Sequence, residues 1–197
     1  MSYLVSISGC KAVGKTTLIR GLQCMIPNLV TREGFRRTEL GYDVTTEQGF
    51  YENERWYFER EIREYQALRR SGRPAVLLRG PEELLFYALA YPALIGKTWD
   101  VCAHLPDEVR RLRACRSDRI LYLDARYDAI WARKTADETK PRKNMQRWMD
   151  DWEPRISAYT KRLPQTVVLD TTQMTKEDVL AWTLHWLGSL DASSAVT

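Results

Sequence analysis

Cysteine and histidine are scarce in this sequence, and the few present are scattered. The four cysteines lie far apart and include no CxxC pair: Cys10, Cys24, Cys102 and Cys115. The two histidines, His104 and His185, are equally isolated. Structural zinc sites need closely spaced Cys and His ligands, so none is expected. Unpaired cysteines are typical of a reducing compartment, and we therefore expect a cytoplasmic protein.

Long apolar runs are also absent. The longest apolar stretch, Leu84 to Ile95, is interrupted by Tyr and Pro, whereas a bilayer-spanning helix needs about 20 predominantly apolar residues. Residues Met1 to Ser8 lack the basic start and long apolar stretch of a signal peptide. We expect neither a membrane segment nor a membrane partner.

No internal repeat or low-complexity tract divides the chain. Its 197 residues, 44% hydrophobic and 28% charged, suit one domain of ordinary globular composition. We assign residues 1–190 to that domain and the small-residue segment 191–197 to a short flexible tail. The net charge of +4 is compatible with anionic small ligands or with nucleic acid.

Short apolar segments alternate with helical patterns along the chain. Five segments are predicted as strands: Tyr3–Ser8, Asn28–Thr31, Ala75–Leu78, Ile120–Leu123 and Thr166–Leu169. Such alternation is typical of an α/β fold with a five-stranded parallel sheet flanked by helices.

Four of the intervening helices are readable from apolar spacing and end signals. Helices are predicted over Lys15–Met25 and Glu47–Ser71, the second ending before Gly72. A third, Asn144–Leu163, should be kinked at Pro154. The last should begin at Thr175, with Asp178 completing a capping box.

One motif carries clear chemistry. Residues 9–16 match GxxxxGK[ST], directly after a predicted strand and at the start of a predicted helix. Backbone N–H groups of such a loop bind the phosphates of ATP, the lysine neutralises them, and the hydroxyl after it holds Mg²⁺. We therefore predict a nucleotide-binding set, with Lys15 catalytic and Thr16 on the metal: Gly9, Cys10, Lys11, Ala12, Val13, Gly14, Lys15, Thr16 and Thr17.

The motif also allows an alternative interpretation, a tight strand-to-helix turn that binds no nucleotide. The Lys15 side chain is expected to touch little of the core, so that Lys15→Ala should leave the fold intact. A second Gly96-Lys97-Thr98 lacks the glycine that the motif requires at residue 91, where Tyr91 stands, and is interpreted as coincidence.

Several segments resemble thymidylate kinases and deoxynucleoside kinases. Residues 30–34, VTREG, resemble the TREPG segment of the former, and Leu78-Arg79 stands where both families have an acid followed by Arg. Residues 121–124, LYLD, are similar to their fourth-strand YLD, residues 133–144 to their basic lid, and residues 167–179 to their closing strand and helix. The resemblance covers nearly the whole chain and implies a P-loop kinase with a helical substrate region and a mobile lid.

The departures from this pattern concern the chemistry. Gly34 replaces the expected Pro, and Leu78 replaces the acid before Arg79. Glu82 or Glu83 could supply a substitute carboxylate. Alternatively, both are helix-start charges favoured by the helix dipole.

The lid is assigned to residues 133–147. Six basic residues stand there against two acids, Asp137 and Glu138: Arg133, Lys134, Lys140, Arg142, Lys143 and Arg147. Phosphoryl transfer needs such cations, and Arg133 and Arg142 are predicted to bind nucleotide. A solvated helix end is the alternative.

Residues after the second and third strands are assigned to the acceptor. Glu33 is predicted to be the catalytic carboxylate, and Arg79 to contact the acceptor or transferring phosphate. Arg36 and Arg37 would bind a substrate phosphate. A stacking face for a base is predicted from three residues of the long helix: Trp56, Tyr57 and Arg60. The alternatives are surface pairing for Glu33, an ion pair for Arg79, and core packing for the aromatic residues.

The leading functional hypothesis is a kinase that uses ATP and Mg²⁺ to phosphorylate a nucleoside or nucleoside monophosphate. The alternatives are a kinase of another hydroxylated metabolite or antibiotic, and, because of Leu78, a P-loop protein that binds nucleotide without transfer. A nucleic-acid partner is disfavoured because no recognition motif accompanies the basic segment. The sequence leaves the oligomeric state open, with a homodimer as one option.

Overall fold

The sheet has five strands, all parallel. A computed structural model describes residues 3–33, 40–136 and 145–194 of the chain. The strands are β1 (Leu4–Gly9), β2 (Val30–Arg32), β3 (Ala75–Leu78), β4 (Arg119–Asp124) and β5 (Thr166–Asp170). Their order across the sheet is β2-β3-β1-β4-β5, and every neighbouring pair is parallel. The predicted α/β fold is confirmed.

Helices connect the strands and cover the sheet. Within the described residues they are α1 (Lys15–Met25), α2 (Glu47–Ser71), α3 (Pro81–Leu94), α4 (Val101–His104), α5 (Pro106–Ala114), α6 (Tyr127–Ala136), α7 (Met145–Asp151), α8 (Glu153–Lys161) and α9 (Lys176–Ser194). No helix in these described ranges has an apolar stretch long enough to cross a bilayer.

Two predicted elements need correction. The second strand begins at Val30 rather than Asn28, because Asn28 has a φ of 61°, which no strand residue adopts. The predicted kinked helix over 144–163 is instead two helices, α7 and α8, separated at Trp152. Pro154 lies in the first turn of α8, where its missing N–H costs nothing, so it starts a helix instead of bending one.

The caps of α2 and α9 follow from the sequence. The hydroxyl of Thr46 accepts a hydrogen bond from Gly49 N at the start of α2, and Gly72 ends that helix with a φ of 63°. At α9, Asp178 N donates to the Thr175 hydroxyl, and Thr175 N donates to the Asp178 carboxylate. The predicted capping box is confirmed, although the helix continues to Ser194, beyond the start of the predicted tail.

The core lies on both faces of the sheet. All six residues of β1 are buried, as expected for a central strand. One apolar cluster packs α1 and α9 against β1 and β4, and a second joins α2, α3 and α5 through residues such as Phe50, Phe58 and Leu112. Because β1 is the middle strand of the five, its carboxyl end at Gly9 lies in the middle of the sheet edge where ligands of such folds bind.

Candidate active site

The loop after β1 requires glycine at two positions. Gly9 has a φ of 127°, and a Cβ placed on it would lie 2.3 Å from the carbonyl oxygen of Leu123 in β4. Gly14 has a φ of 110° and forms the N-cap of α1. A left-handed backbone is costly for residues with a Cβ. The start of the loop therefore lies close to the backbone of β4. The loop ends at a helix N-terminus, whose unbonded N–H groups attract phosphate.

Lys15 folds back into this loop. Its Nζ donates hydrogen bonds of 2.6 Å to the carbonyl oxygens of Gly9 and Cys10. Only 9% of the residue is exposed, so the side chain is enclosed by the loop itself. Burial lowers the pKa of Lys15 to about 8, with a further decrease from the charge of Arg79 and an opposing effect of Glu83. The ammonium is thus held inside the phosphate loop near the guanidinium of Arg79 and the carboxyl groups of Glu83 and Glu153.

Ser8, Arg79 and Glu83 form a hydrogen-bonded cluster next to the loop, here called the Glu83 cluster. The Ser8 hydroxyl donates to one Glu83 oxygen at 2.6 Å, and Arg79 Nε lies 3.2 Å from the other. Glu83 is 5% exposed, whereas 34% of the Arg79 side chain is exposed. The ion pair offered as the alternative for Arg79 is present, and about a third of the Arg79 side chain remains exposed.

The turn from β3 to α3 constrains these residues. Arg79 has a φ of 65°, a left-handed conformation that is uncommon for a residue with a side chain. Arg79 N also donates to the Ile7 carbonyl of β1 at 3.1 Å. A Cβ on the next residue, Gly80, would lie 2.0 Å from Ser6 Oγ. Glycine at 80 therefore allows the chain to pass close to β1 and to start α3 beside the phosphate loop.

Glu82 points elsewhere. One of its oxygens accepts a 2.7 Å hydrogen bond from Ser117 N, and the other accepts from the Ser117 hydroxyl at 3.1 Å. Glu82 thus joins α3 to the chain just before β4. Of the two glutamates weighed from the sequence, Glu83 is the one that binds Ser8, the residue directly before the phosphate loop.

A further carboxyl near the loop, Glu153, was not singled out from the sequence. It begins α8, and its Oε1 accepts a hydrogen bond from the Tyr122 hydroxyl of β4. Burial raises the pKa of Glu153 to about 7, which the Tyr122 hydrogen bond and Lys15 oppose, while Glu83 and Asp124 add to the increase. Its Oε2 is buried and has no hydrogen-bond partner within the described ranges. The sequence places Glu153 in the interior of the single helix predicted over 144–163, with no sign of a contact to β4.

Burial also affects the thiol in the phosphate loop. It raises the pKa of Cys10 to about 12, and the negative charge of Glu153 adds to the increase. The Cys10 thiol donates to the Lys11 carbonyl. Cys10 is therefore an unreactive packing residue of the loop.

Glu33, the predicted catalytic carboxylate, follows a strand that is not adjacent to β1. It is exposed just after β2, and β3 lies between β2 and β1 in the sheet. The preceding residue, Arg32, forms ion pairs with two glutamates of α2, Glu61 and Glu64. Arg36 and Arg37 lie outside the described residues.

The predicted stacking face is only partly accessible. Tyr57 is 1% exposed, in keeping with the core alternative, while Trp56 is half-buried. The Arg60 guanidinium lies 5.2 Å from the centre of the Trp56 ring and pairs with Glu64 at 2.8 Å. Trp56 and Arg60 therefore form the part of this face that a ligand can reach.

The predicted lid is described only at its two ends. Arg133, near the end of α6, donates to the hydroxyl of Thr171 at 3.0 Å and to its carbonyl oxygen. In α7, the Trp148 ring lies 5.2 Å from Lys11 Nζ of the phosphate loop. Residues 137–144, including Arg142, lie outside the described residues. The two ends thus contact the turn after β5 and the phosphate loop.

The oxygen ligands near the loop fit a magnesium ion held mainly by nucleotide. No group of three His, Cys, Asp or Glu suited to a metal occurs among residues 3–33, 40–136 and 145–194. Thr16 is half-buried in the first turn of α1, and Glu83 adds one carboxylate at the same loop. Mg²⁺ in such sites binds one or two protein oxygens together with substrate phosphates and water, so this sparse set fits.

The comparisons with known proteins support the fold. No family model and no curated protein matches the sequence. Among solved structures, thymidylate kinase from Candida albicans matches with a TM-score of 0.65 and 16% identity, over 96% of this chain and 92% of that one. Deoxyadenosine kinase from M. mycoides, with dCMP and dCDP bound, matches with a TM-score of 0.67 and 13% identity, over 94% and 99%. The same kinase with dATP matches with a TM-score of 0.66 and 10% identity, over the same shares. The resemblance seen in the sequence is confirmed at the level of architecture, and the chain has the fold of P-loop nucleoside and nucleotide kinases.

Proposed function

We propose that this protein is a kinase that transfers a phosphoryl group from ATP to a nucleoside or nucleoside monophosphate. The observation that carries the proposal is Lys15, whose ammonium is buried within a phosphate loop at the centre of a nucleotide-kinase fold. Within the part of the chain that the structure describes, this buried lysine donates only to backbone carbonyls, which makes a poor structural contact because desolvation opposes its charge. Phosphate oxygens would compensate that charge directly.

The residues around the loop divide the work of phosphoryl transfer. The loop and Lys15 bind the ATP phosphates, and the hydroxyl of Thr16 holds Mg²⁺, which neutralises phosphate charge when bound. Arg79, with its partly exposed side chain, contacts the transferring or acceptor phosphate. Arg133 and Arg142 complete the nucleotide side from the lid. Each role is electrostatic, as expected for a reaction dominated by charge stabilisation.

The acceptor lies on the side of β2 and α2. Glu33, after β2, accepts the proton of the acceptor hydroxyl. Arg36 and Arg37 bind an acceptor phosphate, and the accessible part of the stacking face, Trp56 with Arg60, contacts the base. The similar structures are a thymidylate kinase from Candida albicans and a deoxyadenosine kinase from M. mycoides with dCMP as a product, and this favours a nucleoside or nucleotide acceptor over other hydroxylated metabolites.

An acceptor panel tests the proposal. Purified protein with ATP and Mg²⁺ is incubated separately with nucleosides, nucleoside monophosphates and other hydroxylated metabolites, and ADP and product masses are measured. Phosphorylation within the first two groups supports the proposal. Transfer only to another metabolite overturns the acceptor class. ATP binding without transfer to any acceptor overturns the kinase itself and favours a protein that only binds nucleotide.

Two lysines offer a matched control. Lys15→Ala should reduce transfer at least a hundredfold, since the loop then lacks its charge. Lys97→Ala removes an exposed lysine in the second Gly-Lys-Thr sequence and should leave turnover within about twofold of wild type. Wild-type turnover in the Lys15→Ala protein would overturn the assignment of this loop as the catalytic site.

A further inference from the structure

We infer that Glu83 is the carboxylate that supports Mg²⁺ in this protein, in place of the acid that is absent at Leu78. This inference rests on the proposed function, since it assigns a role within the same site. Leu78 ends β3 with an apolar side chain. The carboxylate is supplied instead from the first turn of the helix that follows.

The contacts of Glu83 place it at the phosphate loop. Ser8, which donates to Glu83 Oε2 at 2.6 Å, immediately precedes the first loop residue, Gly9. The charge of Glu83 acts on Lys15, where it opposes the effect of burial on the pKa of the ammonium. Glu83 therefore lies among the loop, its lysine and the central strand, although 75 positions separate it from Ser8 in the sequence.

Two neighbours and the helix itself fix the position of the Glu83 carboxylate. Arg79 pairs with one of its oxygens, and the Ser8 hydroxyl donates to the other. Glu83 also lies in the first turn of the 14-residue helix α3, where the helix dipole favours an acidic side chain. The carboxylate is therefore held in one place beside the start of the phosphate loop.

A contribution to stability does not by itself explain the ion pair of Arg79 and Glu83. Replacing a buried ion pair by apolar side chains of similar volume is often neutral or stabilising. Arg79 also retains a left-handed backbone, which carries strain. Strained residues that hold a buried ion pair beside a ligand-binding loop are typical of functional sites.

Glu82 provides the internal comparison. It has the same side chain, precedes Glu83 in the same helix turn and is half-buried, yet both of its oxygens bind Ser117. Its role is to join α3 to the start of β4. Removal of charge at 82 and at 83 should therefore affect different properties of the protein.

The test measures how strongly Mg²⁺ increases the affinity for ATP. Calorimetry measures the affinity for a non-hydrolysable ATP analogue, first with Mg²⁺ and then with EDTA. The ratio of the two affinities is compared between variants. Glu83→Gln should reduce the ratio at least tenfold, because the metal contact is lost. It should leave metal-free affinity at or above the wild-type value, because the charge of Arg79 is no longer paired with Glu83 and remains available to phosphate. Glu82→Gln should keep the ratio within about twofold and lower the melting temperature.

Two further variants keep the test decisive if Glu83→Gln folds poorly. Glu83→Asp retains the charge on a shorter stem and should raise the Mg²⁺ concentration required for half-maximal binding of the analogue. Ser8→Ala removes only a hydroxyl that positions the carboxylate and should produce a smaller increase of the same kind. An unchanged Mg²⁺ requirement in both variants overturns the inference, as does an undiminished ratio in Glu83→Gln.

The outcome is separable from that of the proposed function. If the acceptor panel yields product but Mg²⁺ assists ATP binding equally in wild type and Glu83→Gln, the kinase stands and the role of Glu83 is wrong. If no acceptor is phosphorylated, the binding ratio still decides whether Glu83 supports the metal.

Discussion

The hydroxyl of Tyr122 donates a hydrogen bond to the carboxyl group of Glu153, joining the centre of β4 to the first turn of α8. Burial raises the pKa of Glu153 to about 7, from an ordinary value of 4.5. The folded protein therefore binds a proton here more tightly than the unfolded chain. This contribution to stability is complete below the unfolded pKa and is lost as the pH rises through about 7.

Glu153→Gln should remove this pH dependence. Between pH 5 and pH 8.5, the free energy of unfolding of the variant should increase relative to wild type by about 2 kcal/mol, because Gln has no charge to desolvate. Urea unfolding at the two pH values measures the difference. In Tyr122→Phe, Glu153 loses its hydrogen-bond donor, so the pH dependence should become steeper. If the free energies of unfolding of Glu153→Gln and wild type differ by the same amount at both pH values, the assignment of the raised pKa to Glu153 is wrong.

Arg79→Lys should impair transfer more than it impairs folding. A lysine ammonium cannot reproduce the planar guanidinium that pairs with Glu83 while part of the side chain stays exposed. We expect kcat or KM for the acceptor to change at least tenfold. Steady-state kinetics and thermal melting of the same preparation measure both effects.

Arg69→Lys is the control for Arg79→Lys. Arg69 binds both carboxylate oxygens of Asp118 at 2.8 Å, and Asp118 also accepts from Leu4 N at the opposite end of β1. Arg69→Lys should change the melting temperature but leave both kinetic constants within about twofold of wild type. If Arg79→Lys behaves in the same way, its ion pair with Glu83 is only structural.

Glu33→Gln should lower kcat by about 10²- to 10⁴-fold with little effect on ATP affinity, the range expected for loss of a general base. The substitution preserves size, and the side chain is exposed, so folding should be unaffected. Glu177→Gln changes another exposed glutamate, in α9, and should be silent. Turnover of Glu33→Gln within about threefold of wild type at saturating substrates would exclude the proposed role.

Gly80→Ala should destabilise the fold and impair the site together. Its Cβ would lie 2.0 Å from Ser6 Oγ, and overpacking of this kind costs about 1 to 3 kcal/mol. The turn that positions Arg79 and Glu83 should move, so turnover should fall as well. Gly188→Ala introduces a Cβ with nothing within 4 Å inside helix α9, and should stabilise by about 0.5 to 1 kcal/mol. Equal melting temperatures for the two variants would contradict this account of Gly80.

Local patterns in the sequence were sufficient for much of the fold. The strand-to-helix order, the bounds of α1 and α2 and the capping box at Thr175 all depend on residues close in the chain. The phosphate loop belongs to the same class, because its glycines, lysine and threonine act within eight consecutive positions. The split between α7 and α8 was missed because Pro154 is compatible both with a kink and with a first turn.

The choice of carboxylate required the tertiary structure. Neighbouring residues on a helix point about 100° apart, and the sequence does not show which of Glu82 and Glu83 faces β1. The packing of α3 decides it, through the close approach of Gly80 to Ser6. Glu153 depends in the same way on a contact with Tyr122, 31 positions away. The sequence alone predicted a phosphate loop directly after the first strand, because that chemistry is local. Tertiary packing decided which acids surround the loop and how deeply Lys15 is buried, because those properties depend on distances between segments far apart in the chain.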